Sequence, residues 1–146
     1  MKKIITLFAC LLFVLPVVSG CSAGVARVIE AVPGEQFSLD YGQQAVITGA
    51  NMTLGFTDVI GDSRCPQGVQ CIWEGQASIA IQAVLGDNEY NIVLVEPGLT
   101  NSANYSLFQY NIVFNLEPYP QENQTTEKGD YKLQMTVNSP EFKNIE

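Results

Sequence analysis

Cys65 and Cys71 are separated by five residues, in the one segment of the chain that is dense in chemically distinctive side chains. Such a pair could form a disulfide, hold a metal ion or exchange disulfides with other thiols. Zinc would need further thiolate or imidazole ligands, and the chain has no histidine. Redox-active pairs usually have two intervening residues. We therefore predict a Cys65–Cys71 disulfide, which requires an oxidising compartment.

The N-terminal residues predict export to such a compartment. Lys2 and Lys3 precede an apolar run over residues 4–18, and small residues follow it at positions 19–20. This is the layout of a secretory signal peptide, which we assign to residues 1–20. The apolar run is shorter than the roughly twenty residues that a membrane-spanning helix needs.

Cys21 directly follows this segment, and the sequence VSGC at residues 18–21 matches the lipobox of bacterial lipoproteins. The match implies signal cleavage before Cys21, a diacylglycerol on Cys21 and anchoring to the lipid bilayer through a tether of residues 21–25. Each buried CH₂ adds about 0.8 kcal/mol, so two or three chains anchor stably. Ser22 and Ala23 lack the aspartate that retains enterobacterial lipoproteins at the inner membrane. We expect a lipid-anchored cell-envelope protein at the outer membrane; a non-lipidated secretory peptide is the alternative.

The chain beyond Cys21 is strongly acidic. It retains five basic residues and all fifteen acidic ones, a net charge of −10 against −8 for the full chain. Phosphate backbones repel such a surface, so we expect no nucleic-acid partner. Solubility is the simplest explanation of the charge, and a basic partner or a cation is the alternative. The length suits a single domain with a sizeable core, which we assign to residues 26–146.

Apolar and polar residues alternate along most of this domain, as they do in half-buried strands. Turn signals such as Gly86-Asp87-Asn88 separate the alternating runs, and no segment shows a helical period. We predict an all-β fold, an antiparallel β-sandwich of about seven to nine strands, with a small closed β-barrel as the alternative. The clearest runs are residues 37–41, 52–57, 79–83, 90–94, 110–116 and 131–137.

A specific motif occupies residues 62–75. It resembles a family of small uncharacterised bacterial lipoproteins and secreted domains that share DSRCP, a short spacer and V-x-C-x-W-x-G. A looser likeness extends to residues 116–120 and 130–131. The resemblance implies fold and location, and it carries no activity to any residue. The matching residues are Asp62, Ser63, Arg64, Cys65, Pro66, Val69, Cys71, Trp73 and Gly75.

This motif allows a structural and a binding interpretation. In the structural one, Trp73 packs on the disulfide, Asp62 accepts from backbone amides, and Arg64 pairs with Asp62 or Glu74. In the binding one, Asp62, Arg64 and Trp73 support a rigid base from which a loop projects towards an envelope protein partner. Such a loop could also enter the cleft of a hydrolase, as inhibitors do. The candidate binding residues are Pro66, Gln67, Gly68, Val69 and Gln70.

We predict no catalytic residue, no metal site and no cofactor. The absence of histidine excludes histidine-based triads, and Ser63 has no evident base. Asp58, Asp62 and Glu74 could gather around calcium, but their spacing fits no EF-hand. Nothing selects a carboxylate pair of glycosidase type. The prediction is a non-enzymatic binding or structural envelope domain; the alternatives are a hydrolase inhibitor acting through the loop at 65–71 and a sandwich enzyme.

Overall fold

The computed structural model describes residues 27–140, which form nine strands and a short 3₁₀ helix at Lys128–Asp130. The predicted signal peptide, Cys21 and the tether lie outside these residues. No helix within residues 27–140 is long and apolar enough to cross a membrane. The strands are β1 (Val28–Ala31), β2 (Gln36–Asp40), β3 (Gln44–Ile47), β4 (Met52–Asp62), β5 (Gln76–Leu85), β6 (Asn88–Pro97), β7 (Ala103–Leu107), β8 (Tyr110–Glu117) and β9 (Lys132–Asn138).

The strands build two separate sheets. One has five strands in the order β1-β3-β4-β5-β6, and the other has four in the order β2-β9-β8-β7. The two sheets do not close into one barrel, which confirms the predicted β-sandwich over its alternative. Neighbouring strands are antiparallel except β1 and β3, which pair in parallel. β2, which lies between β1 and β3 in the sequence, belongs to the opposite sheet. The chain crosses to that sheet and back, so β3 runs in the same direction as β1.

The core lies between the sheets, where alternate side chains of each strand point inwards. In β5 the inward residues are Ala77, Ile79, Ile81 and Ala83, all 1% exposed or less. Phe56 and Phe114 are the largest fully buried side chains, one from each sheet. A fully buried side chain of this kind stabilises the fold by about 1.5–3 kcal/mol. The period-two pattern in the sequence therefore encodes the core face of each sheet.

One end of the sandwich carries the segment singled out by its motif. We call it the loop end; there β4 ends at Asp62 and β5 begins at Gln76, with residues 63–75 between them. The pairing of Gln76 with Pro97 brings the end of β6 to the same place. The far end contains the tight β5–β6 hairpin, in which Leu85 pairs with Asn88 as the turn signal predicted.

Candidate binding site at the loop end

The predicted disulfide is present. The sulfur atoms of Cys65 and Cys71 are 2.07 Å apart, and their Cα atoms are 5.9 Å apart. The side chain of Cys65 is buried against the domain, whereas Cys71 is exposed. Closing this short loop, which we call the bridged loop (residues 65–71), stabilises the fold by roughly 2 kcal/mol on the chain-entropy model. The disulfide therefore mainly restricts the conformation of the loop and contributes little to the stability of the whole domain.

Arg64 lies next to the disulfide and is only 2% exposed. Its Nε and Nη2 donate to the two carboxylate oxygens of Asp62 at 2.9 and 2.7 Å. The backbone N–H of Arg64 also donates to Asp62 Oδ1 at 3.1 Å. Bidentate contacts between arginine and carboxylate fix geometry as well as charge. Asp62 therefore holds both the backbone and the side chain of Arg64 at the start of the bridged loop.

The same guanidinium connects the two sheets. Its Nη1 donates to the carbonyl oxygen of Leu116 at 2.7 Å and lies 3.4 Å from Glu96 Oε1. The other carboxylate oxygen of Glu96 accepts the backbone N–H of Leu116 at 2.7 Å. Nη2 also donates to the carbonyl oxygen of Pro118 at 3.2 Å. Since Glu96 belongs to the edge strand β6 of one sheet and Leu116 to β8 of the other, these contacts hold the two sheets together.

Two tyrosines complete what we call the arginine network (Asp62, Arg64, Glu96, Tyr119 and Tyr131). The guanidinium carbon of Arg64 lies 4.8 Å from the centre of the Tyr119 ring, a cation–π contact. The hydroxyl of Tyr131 donates to Asp62 Oδ2 at 3.3 Å. Within residues 27–140 every buried side-chain nitrogen and oxygen has a hydrogen-bond partner. The network thus meets the condition under which buried charge is tolerated.

Burial and charge shift the acid–base properties of this network. Burial raises the pKa of Glu96, and the neighbouring charge of Asp62 acts in the same direction. Burial alone would lower the pKa of Arg64, but the hydrogen bond and charge of Asp62 raise it above its usual value. Burial also raises the pKa of Tyr131, whose phenol lies beside the Asp62 carboxylate. Glu96 is therefore easier to protonate in the folded domain than an exposed glutamate, because its carboxylate is buried.

At the base of the loop, two glycines lie in close contact with the backbone of neighbouring segments. Gly75 has a φ of +69°, and a Cβ atom there would lie 1.8 Å from the carbonyl oxygen of Ser63. A Cβ atom at Gly98 would lie 1.9 Å from the carbonyl oxygen of Glu74. The N–H of Gly98 donates to the carbonyl of Gly75 at 2.9 Å. Only glycine fits at these two positions, so the strand ends that flank the loop are held in backbone contact.

The first half of the bridged loop is also attached to the segment after β8. The backbone N–H of Gln67 donates to the carbonyl oxygen of Pro120 at 2.9 Å. The side-chain amide of Gln121 donates to the side-chain oxygen of Gln67, also at 2.9 Å. A shallow groove of about 310 Å³ separates Val69 from Leu99 and Tyr119. Of the predicted binding residues, Pro66 is half-buried, and Gln67, Gly68, Val69 and Gln70 are exposed.

The expected position of Trp73 is wrong. Its side chain is 78% exposed and cannot pack under the disulfide as a core aromatic would. The aromatic contact at the loop base is made instead by Tyr119, which stacks on Arg64. Ile72, which the sequence analysis did not single out, is completely exposed at 103%. The most exposed apolar side chains of this segment, Ile72 and Trp73, therefore lie one or two residues beyond the predicted loop.

Of the two carboxylates predicted as partners of Arg64, Asp62 makes the ion pair and Glu74 does not, while Glu96 is an additional partner that was not predicted. Glu74 is exposed, and Glu96 occupies the buried position beside the guanidinium. The sequence contains a signal for the contact with Glu96. Along β6 the inward positions are Ile92, Leu94 and Glu96, so a carboxylate follows two apolar residues on the core face. A charge at an inward position predicts a buried partner.

The three carboxylates considered for calcium do not converge. Asp58 pairs with Lys128, Oδ1 to Nζ 2.6 Å, and also accepts from Tyr41. The hydrogen bond from Lys128 lowers the pKa of Asp58. Asp62 is bound to Arg64, while Glu74 is exposed. Residues 27–140 contain no group of three or more histidine, cysteine or acidic side chains able to hold a metal ion.

No protein-family model, no curated protein and no solved structure matches this chain. The family likeness of the motif at residues 62–75 therefore stays a prediction.

Proposed function

We propose that this protein is a lipid-anchored, non-enzymatic domain of the bacterial envelope that binds an envelope partner through its loop end. One observation carries the proposal: an exposed loop projects from a base that is disulfide-bridged, ion-paired and sealed by glycines. A loop held in one conformation before binding loses little conformational entropy on association. Loops on rigid sheets are also where binding residues concentrate. The base therefore has the properties of a presenting scaffold.

The chemistry of the base favours support over catalysis. Arg64 makes contacts with Asp62, Glu96 and two carbonyl oxygens, which leaves its donors occupied. Catalytic groups need access to a substrate and a proton-transfer partner. A guanidinium buried among its own acceptors instead holds backbone segments in place. We assign to the arginine network the role of fixing the loop.

Inhibition of a hydrolase is the second candidate function, and the exposed residues 67–70 favour it. A protease or glycosidase cleft could accept a rigid loop of this kind. The attachment of Gln67 to Pro120 leaves less of the loop free to enter a deep cleft. The inhibitor hypothesis predicts a saturable loss of the target enzyme's activity when the domain is added.

Anchoring is tested by expressing the full chain in a bacterium and separating membrane from soluble fractions. We expect the protein in the membrane fraction, with a diacylated Cys21 as the first residue by mass spectrometry. Cys21→Ala should release the domain or leave its signal peptide uncleaved. Cys10→Ala is the matched control, because that cysteine lies inside the predicted signal peptide. A Cys21→Ala protein that is processed and retained like the wild type would exclude the lipid anchor.

Binding is tested by cross-linking in an envelope extract, with residues 22–146 as bait. This bait contains the entire core, which lies within residues 27–140. A bait with Cys65→Ser and Cys71→Ser removes the bridge, and Gln82→Ala on the outer face of β5 serves as control. Capture by the wild type and the control, but not by the unbridged bait, would support loop recognition. Equal capture by all three would contradict it, and an inhibited hydrolase in the complex would select the second candidate.

A further inference from the structure

We infer that Ile72 and Trp73, which we call the tip, insert into the surface of a zwitterionic lipid bilayer beside the acylated Cys21. The inference rests on the proposed lipid anchor and adds a second contact between the domain and the membrane. The tip, the tether and the direction of β1 together support it.

The tip is the most exposed apolar feature of the loop end. Ile72 is 103% exposed and Trp73 is 78% exposed, and they are neighbours in sequence. Residues 65–73, which read CPQGVQCIW, contain no charged side chain. Leu99, which is 76% exposed, adds a further apolar side chain from the neighbouring loop. The exposed carboxylate of Glu74 follows Trp73 directly, so the uncharged stretch ends at the tip. Exposed apolar side chains of this kind cost free energy in water, and they are typical of surfaces that contact a lipid or a partner.

The tip is presented by a rigid base. The disulfide ends at Cys71, directly before Ile72. On the other side, the carbonyl oxygen of Glu74 accepts the N–H of Cys65 at 2.9 Å. The two exposed residues are thus held between a covalent bridge and a backbone hydrogen bond. Insertion would require little reordering of the loop.

The beginning of β1 faces the same end of the sandwich as the tip. Val28 pairs with Gln44, and Gln44 pairs with Gly55, so β1 begins level with the first half of β4, with β3 between the two strands. β1 runs parallel to β3 and therefore opposite to β4. Because β4 ends at the loop end, the beginning of β1 points towards that end. A chain that continues straight back from Val28 leads towards the level of the tip.

The tether is long enough to reach that level. In β5 the partners of Gly55 and Asp62 are Gln82 and Ala77, five residues apart. At about 3.4 Å per residue, Asp62 lies roughly 17 Å beyond Gly55 along the sheet. Cys21 precedes Val28 by seven residues, and an extended chain of that length spans up to about 24 Å. A lipid on Cys21 and the tip can therefore meet one bilayer surface.

The side chains of the tip suit the interface of a membrane. Tryptophan is enriched at the level of the headgroups because its ring is apolar and its N–H is polar. Isoleucine adds purely apolar area. The net charge of −10 beyond Cys21 opposes approach to anionic lipids. These properties favour a zwitterionic surface such as phosphatidylcholine over an anionic one. A cleft in a protein partner is the competing occupant.

The test uses Trp73, which is the sole tryptophan of the chain. In residues 21–146, Cys21 is the one cysteine outside the disulfide, and it can be coupled to a maleimide lipid in phosphatidylcholine vesicles. This coupling makes the result independent of natural acylation, so the lipid anchor and the tip can fail separately. We expect a blue-shifted Trp73 emission and quenching by lipids brominated on their acyl chains. Replacing a third of the phosphatidylcholine with phosphatidylglycerol at low salt should reduce the quenching.

Matched variants identify the side chains responsible. In the uncoupled domain, Ile72→Ser should weaken partitioning into the same vesicles by about tenfold. Phe108→Ser is the control, since Phe108 is 65% exposed but lies in the β7–β8 hairpin at the far end. Phe108→Ser should leave the Trp73 signal unchanged. Circular dichroism and urea unfolding verify that each variant is folded.

The inference would be overturned if the coupled, folded protein had the same Trp73 emission maximum as the protein in solution. It would also be overturned if the Trp73 intensity were the same in vesicles with and without brominated lipid. It would also be overturned if Phe108→Ser reduced partitioning as much as Ile72→Ser does. Burial of Trp73 by an envelope protein but not by vesicles would assign the tip to a protein cleft and exclude the bilayer.

Discussion

Nη1 of Arg64 lies 3.4 Å from Oε1 of Glu96, and both side chains are 1% exposed or less. This pair joins residues that are 32 positions apart, one at the start of the bridged loop and one near the end of β6. Glu96 also accepts the backbone N–H of Leu116 in the opposite sheet. The conformation of the loop is therefore coupled to the packing of the two sheets. Substitutions at Arg64 and Glu96 should therefore affect mainly the stability of the fold, because both side chains are buried.

Replacing Arg64 with Met should reduce the free energy of unfolding by about 3–5 kcal/mol, because the buried carboxylates of Asp62 and Glu96 lose their counter-charge. Arg64→Lys should have a smaller effect, since the charge remains while the bidentate contact is lost. Urea unfolding followed by circular dichroism measures both. Arg27→Met is the control, because Arg27 is exposed, and it should change stability by less than about 0.5 kcal/mol. Equal effects of Arg27→Met and Arg64→Met would contradict the assigned role.

Glu96 should make the stability depend on pH. Its pKa in the folded state is raised above the ordinary value of 4.5 because the carboxylate is buried. The folded state then binds a proton at Glu96 more tightly than the unfolded chain does, so acidification stabilises the fold. This contribution is complete below pH 4.5 and is lost as the pH rises through the folded-state pKa.

The stability of the wild type relative to Glu96→Gln should therefore increase as the pH falls from neutral through the folded-state pKa of Glu96, towards the ordinary value of 4.5. Subtracting the variant cancels the titration of groups that both proteins share. Tyr131, whose pKa is raised above 10, does not titrate in this range. Urea unfolding at several pH values measures the difference. A difference that stays constant, or that grows towards pH 7, would show that burial does not raise the pKa of Glu96.

Alanine at Gly75 or Gly98 should disrupt the loop base. The added Cβ atoms would lie within 2 Å of backbone oxygens, at 1.8 and 1.9 Å, and cannot be accommodated without moving the strand ends. We expect a loss of at least about 2–3 kcal/mol in the free energy of unfolding for either variant. Gly61→Ala is the control, because nothing lies within 4 Å of its Cβ position. Comparable losses at Gly61 would mean that close approach is not the cause.

Trp73 should behave as an exposed fluorophore in the free domain. Because its side chain is 78% exposed, we expect an emission maximum close to that of the urea-unfolded chain. Acrylamide should quench the folded and unfolded forms to similar extents. The protein has no second tryptophan to complicate the signal. A strongly blue-shifted, protected emission in solution would mean that Trp73 packs on the domain after all.

Much of the fold could be read from the sequence. Six alternating runs predicted strands that the structure contains as β2, β4, β5, β6, β8 and β9. The alternation is local and reports directly which face of a strand is buried. The strands β1 and β3 are harder to recognise because they have only four residues, and β7 is harder to recognise because only its first and last residues are buried. The disulfide followed from the count and spacing of cysteines, which required no tertiary information.

By itself, the sequence determined the fold class, the Cys65–Cys71 disulfide and the location of the distinctive segment. The tertiary structure decided that Glu96 joins Asp62 as a partner of Arg64 and that Trp73 is exposed. Glu96 and Leu116 approach Arg64 because β6 and β8 end at the same place, which depends on strand order and not on local pattern. Trp73 is exposed, and the aromatic contact at the loop base is made by Tyr119 with Arg64. Local periodicity encodes burial along a strand, whereas contacts between distant segments depend on how the two sheets are assembled.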